Sequence, residues 1–233
     1  MTVEIRPFDS LRRFEIDWLK ARHHFSFGQY HDPDRMGVGP LRVWNDDRVT
    51  PGTGFDPDPH RDMEIITYVR RGAVTHRDKL GNEGRTAAGD VQVMSAGTGI
   101  VHAEYNLDDE PLELFKIWIQ PRSRGLKPRW AQRAFPSGDR AGTLVALASG
   151  RDGDADALPI DQDAALRGAT LAAGQRVEHV LAPGRHAYLV AARGRVRVNG
   201  KEAQPRDGVV LRGEGSVVIE ALDDAEMLLA DLP

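Results

Sequence analysis

Short apolar runs rich in Val, Ile, Leu and Thr recur along the chain, and turn-forming residues separate them. That rhythm predicts strands over residues 41–44, 63–70, 73–77, 90–94, 112–120 and 144–148 in the first two-thirds of the chain. Later strands are predicted over 187–191, 196–198, 208–211, 216–220 and 226–231. Long 3.6-residue periodicity is absent. Two helical turns are expected, at Phe14–Lys20 and Asp161–Leu166. The 24 glycines and 14 prolines are scattered between these runs, as expected of many short strands joined by tight turns. The class is all-β.

A softer stretch from about Phe135 to Asp156 contains two Gly/Asp-rich turns. It divides the chain into a first domain, 1–130, and a second, 131–233. Glu64 to Thr75 and Tyr188 to Arg197 echo one another, each reading as apolar strand, Gly turn and strand. The echo suggests a duplicated barrel. The chain has 233 residues, enough for two small cores. The formal net charge of −4 gives no general attraction to nucleic acid or anionic membrane. Near Met1 no apolar signal region is visible, and nowhere do about 18 apolar residues run together. The expected location is the cytoplasm.

With no cysteine in the sequence, any metal must sit on His and carboxylates. Two clusters offer them. One runs Asp58-Pro59-His60-Arg61-Asp62-Met63-Glu64, and the other runs Gly97-Thr98-Gly99-Ile100-Val101-His102-Ala103-Glu104. In a strand, residues two apart share a face, so Asp58 pairs with His60 and His102 with Glu104. On neighbouring strands these four would converge inside a barrel. Two imidazoles and two carboxylates suit Fe, Mn, Ni, Co, Cu or Zn. A lone strand His more often makes an ordinary hydrogen bond or faces solvent, and only the convergence of several donors argues for a metal.

By the same parity Glu64 shares the face of Asp58 and His60; it supports the ligands or is a buried acid paired with an Arg. His24 is expected to pack at the barrel mouth, with Phe25, Phe27, Met63 and Met94 in the core. His76 is expected in solvent at a turn, and Arg70-Arg71 at a solvated hairpin end. His31, His179 and His186 have no convergent partners in the sequence.

Gly52, then Asp58-Pro59-His60, Glu64 and Gly72 resemble the first cupin motif. Gly89, Ser95-Ala96-Gly97, His102 and Asn106 resemble the second. His23-His24-Phe25-Ser26-Phe27-Gly28 and Gly89 through Glu104 resemble the hallmarks of the pirin family. The likeness covers about residues 17–130; Leu181-Ala182-Pro183-Gly184-Arg185 carries it loosely into the second half. It implies two cupin-like β-barrels (jelly rolls) in tandem, with a metal in the first and none in the second. In pirins three His and one Glu hold the metal. Carried across, the ligands are Asp58, His60, His102 and Glu104, with Asp58 standing where the family has His. A carboxylate there is expected to favour Fe(II) or Mn.

The resemblance implies a metal-dependent dioxygenase that opens a flavonol such as quercetin at the 2,3-bond with O2 and releases CO, with Glu104 as general base. The partners are then a small aromatic substrate and O2. The alternatives are a metal-dependent regulator acting through a protein partner, or a metal-free binding barrel.

Overall fold

The computed structural model describes residues 1–213 and 215–233. Its regular structure is antiparallel strand, apart from short 3-10 turns at Phe8–Ser10, Pro33–Arg35 and Ser137–Arg140. The two expected helical turns are absent from the described residues. Phe14 lies on the strand Arg12–Glu15, which pairs with Leu19–His23. Residues 161–164 are bends and loop leading into the strand Ala165–Leu171. In both places pairing with a neighbouring strand overrides the local helical spacing.

The chain forms two units. Arg12–Phe135 and Leu158–Gln162 make one; Met1–Leu11, Pro136–Ala157 and Asp163–Pro233 make the other. The division therefore differs from 1–130 and 131–233 at the N-terminus, at the boundary near Phe135, and at Leu158–Gln162, which lies with the first unit. Thr2–Arg6 pairs with Gly208–Arg212 along its whole length, and such a ladder binds the first strand to the end of the chain.

In the first unit, a seven-stranded sheet carries Leu41–Val49, Glu64–Arg71, Val91–Ser95 and Leu112–Ile119. A four-stranded sheet carries Thr53–His60, Ala73–Asp78, Glu83–Ala87 and Ile100–Asn106. Leu19, Ala21, Val49, Leu112 and Leu114 of the larger sheet meet Val74 and Phe55 of the smaller one, closing one end of the barrel. The second unit repeats the design. Ala187, Leu189 and Ala191 alternate inward on one sheet, and Val217, Ile219 and Ala221 on the other. Its interior is filled by apolar side chains.

The sequence echo lies at equivalent turns. Gly72 joins Glu64–Arg71 to Ala73–Asp78 at φ +72°, and Gly194 joins His186–Arg193 to Val196–Val198 at φ +75°. A Cβ at Gly194 would also strike the Asp224 carbonyl, so this turn requires glycine twice over.

Candidate metal centre and cavity

The first barrel differs from the second in what points inward. Ile100–Asn106 brings in His102 and Glu104, both buried. It is flanked by Thr53–His60, where His102 faces Asp58 and Ile100 faces His60, and by Ala73–Asp78, where Glu104 faces His76. A β-bulge inserts one residue in the 53–60 strand between Phe55 and Asp58. It resets the parity, so that Asp58 and His60 lean toward the same interior as His102.

The rings of His60 and His102 meet edge to face, 4.9 Å between centroids. Trp118 closes against His60 at 5.2 Å. His102 Nδ1 lies 3.4 Å from His76 Nδ1. The ligand atoms of His76, His102 and Glu104 all fall within 4.8 Å of one another.

His76 is fully buried, contrary to the expected exposure. Its strand continues to Asp78, and Val74, His76 and Asp78 share one face. Since Val74 is core, alternation alone carries His76 inward. Asp78 Oδ2 holds His76 Nε2 at 2.9 Å. A carboxylate only accepts, so Nε2 donates to it and Nδ1 is the ring nitrogen turned toward His102. Behind it Trp130 stacks at 4.8 Å and 8°, across Gly84, where any Cβ would strike the indole.

Asp58 lies at the rim. Its side chain is 62% exposed, and it reaches His60 Nε2 at 3.2 Å. It is outside the cluster of His76, His102 and Glu104. Glu64 does not share the face of Asp58 and His60, because its strand belongs to the other sheet. There it accepts from Ser95 Oγ at 2.6 Å, and Arg129 Nε donates to the same hydroxyl at 3.1 Å. The buried acid paired through Ser95 to an Arg is the role observed. Arg70 is half-buried and paired with Asp46, and Arg71 is the solvated one. His179 bonds the buried Asp231 at 2.8 Å in the second unit.

Glu104 is held from two sides. Thr86 Oγ1 donates to Gln92 Oε1 at 3.0 Å, and Gln92 Nε2 donates to Glu104 Oε1 at 2.7 Å. Lys116 Nζ approaches Oε2 to 2.5 Å as an ion pair. Among the described residues Oε2 accepts no hydrogen bond of ordinary geometry. Burial alone would raise the Glu104 pKa, but the Lys116 ammonium and His102 hold it down at about 2. Burial pushes the His102 pKa down to about 4 and lowers that of His60. The imidazoles are thus neutral near pH 7, as metal ligation requires. The imidazoles of His60, His76 and His102 grouped near the Glu104 carboxylate are a donor set that fits a divalent transition metal.

His60 and His102 form one end of a cavity of about 560 Å³. Phe14, Phe27, Tyr30, Phe55 and Trp118 line it, with Asp47, Lys116 and His23. Asp47 and Lys116 escaped the sequence reading. Asn45-Asp46-Asp47 looks like a turn, yet the strand runs from Leu41 to Val49. Lys116 follows Leu112 and Leu114 on an inward-facing apolar row. A lysine in that row was the available signal. Asp47 is 3% exposed. Burial pushes its pKa up to about 7, with Lys116 and Arg70 working against Asp46 and Glu104.

Comparison with known proteins agrees with this architecture. The Pirin family model matches residues 5–119, and the model of the quercetinase C-terminal cupin domain matches residues 146–232. A pirin-like protein of Caulobacter vibrioides is 56% identical over 229 residues, 98% of this chain and 99% of its own length. The chain belongs to the pirin family. Quercetin 2,3-dioxygenase of Escherichia coli is 42% identical over 217 residues, 93% of this chain and 92% of that one. The crystal structure of the bacterial pirin YhhW from Escherichia coli in complex with nickel(II) superposes with a TM-score of 0.92 at 39% identity, covering 100% of this chain and 99% of that one. The two-cupin fold expected from the sequence is therefore the fold of this pirin.

Proposed function

We propose that this pirin is a metal-dependent oxidoreductase that opens a flavonol such as quercetin at the 2,3-bond with O2, releasing CO. The observation that carries the reading is the cavity: aromatic walls ending on His60 and His102. About 560 Å³ falls within the range that holds a small organic ligand. Flat rings from Phe14, Phe27, Phe55 and Trp118 suit a planar polyphenol. The activity of the Escherichia coli relative and the nickel of YhhW support the same reading.

His102, Glu104, His76 and the adjacent His60 would hold the metal. When bound, it supplies Lewis acidity and one-electron chemistry to a coordinated hydroxyl. The aromatic walls orient the substrate and exclude water. A proton must leave the substrate hydroxyl. Glu104, the base expected from the sequence, has its oxygens engaged by Gln92 and Lys116 and binds a proton poorly. Asp47 lines the same cavity and has a proton affinity near neutrality, the range in which a general base is effective. We assign the proton-accepting role to Asp47. The neighbouring Lys116 ammonium stabilises the resulting anion.

The test is O2 uptake, CO release and loss of quercetin absorbance, measured on protein loaded with Ni(II), Fe(II) or Mn(II). The expected result is turnover that a chelator abolishes and added metal restores. In Asp47→Asn, kcat should fall about 100-fold or more, with KM nearly unchanged. Stoichiometrically loaded protein with no O2-dependent loss of flavonol would overturn the proposal.

A further inference from the structure

The first barrel already contains a cation of its own. Lys116 sits mid-strand, opposite Asn45 on one side and Thr67 on the other. Its side chain is 11% exposed, and its Nζ lies 2.5 Å from Glu104 Oε2. The same Nζ stands 3.8 Å from the centre of the Phe55 ring. An ammonium taken out of water must recover its lost hydration from fixed negative charge and π-density. Glu104 and Phe55 supply both. Burying Glu104 likewise requires a positive neighbour. The two groups therefore stabilise each other without any ion from outside.

This pairing bears directly on the metal centre. The oxygen that Lys116 engages belongs to the one carboxylate in the cluster of His76, His102 and Glu104. A divalent ion bound there would set a second cation beside that carboxylate, inside a low-dielectric barrel where like charges repel strongly. We propose that Lys116 is an internal counter-cation of the metal centre: its ammonium occupies Glu104 in the metal-free protein and must be displaced for a divalent ion to bind. The inference rests on the metal-site reading above. Lys116 then makes the metal-free barrel stable and the metal exchangeable, because part of the binding free energy goes into moving the ammonium.

The experiment compares the full-length wild type with Lys116→Gln and Lys116→Met. Each is stripped of metal and then titrated with Ni(II) by calorimetry, with elemental analysis of the bound ion. Thermal unfolding is followed with and without Ni(II). Removing the competing ammonium should tighten Ni(II) binding about tenfold or more in both variants. The metal-free variants should melt below wild type, since Glu104 has lost its counter-charge, and Ni(II) should raise their melting temperature more than it raises that of wild type. A merely structural lysine would lower stability without tightening binding. If wild type binds Ni(II) and the variants bind it equally or more weakly, the inference fails while the metal site stands. If neither wild type nor either variant binds Ni(II), both fall.

Discussion

Two side chains of the cavity wall titrate against the fold in opposite senses. Burial pushes the Asp47 pKa up from 3.8 to about 7. Between those values the unfolded chain releases the proton and the folded one keeps it, so the stability tied to Asp47 is present at pH 4 and lost as pH rises through 7. Asp47→Asn should therefore gain on the order of 3 kcal/mol over wild type at pH 8 and little at pH 4, read from urea midpoints. His23 behaves oppositely. Burial, helped by Arg12, lowers its pKa from 6.5 to about 4. The unfolded chain takes up a proton that the folded one refuses, and stability falls as pH drops from 6.5 to 4. His23→Gln should flatten that part of the pH–stability curve, and an unchanged slope would show that another group sets it. At the metal centre, His102→Ala should abolish stoichiometric Ni(II) binding. Asp58→Ala, at the exposed rim, should change the affinity by less than about threefold, measured by equilibrium dialysis.

At the scale of the elements, the strands expected from the apolar alternation are present, others such as Thr2–Arg6, Leu19–His23 and Ala165–Leu171 were not anticipated, and the limits of all were set by pairing. The predicted strand 63–70 became Glu64–Arg71, and 112–120 became Leu112–Ile119. The predicted strand 41–44 ran on to Val49 because Asn45, Asp46 and Asp47 pair with Lys116, Phe115 and Leu114, respectively, on the neighbouring strand. A polar triplet that reads locally as a turn is held extended by partners about seventy residues away. The bulge in Thr53–His60 was equally invisible, since nothing in Phe55-Asp56-Pro57-Asp58 states which residue is the extra one. The glycine turns were legible. Gly194→Ala should cost about 2 kcal/mol or more, because strain at positive φ adds to a clash with the Asp224 carbonyl. Gly184→Ala, at φ +78° with open space around it, should cost only about 1 kcal/mol. Urea unfolding of the two variants checks the difference.

Across the whole molecule the two units share a strand plan and differ in their interiors. Apolar side chains fill the second, whereas the first commits inward positions to His60, His76, His102, Glu104, Asp47 and Lys116. Ligand effects should follow that division. Added Ni(II) should slow amide exchange in residues 53–60, 73–78 and 100–106 and leave 186–193 and 215–221 unchanged; equal protection in both units would place the ion elsewhere. The sequence by itself determined the all-β class, the duplicated plan, the pirin motifs and the approach of His60, His102 and Glu104. Those follow from two-residue periodicity and local turn chemistry, which are written into neighbouring residues. Only the tertiary structure decided that His76 joins them, that Asp58 stays at the rim, that Met1–Leu11 lies with the C-terminal unit, and that Lys116 rests on Glu104. Each of these depends on which strand lies beside which, and in what register. Long-range hydrogen-bond ladders settle that, and no short stretch of residues encodes it.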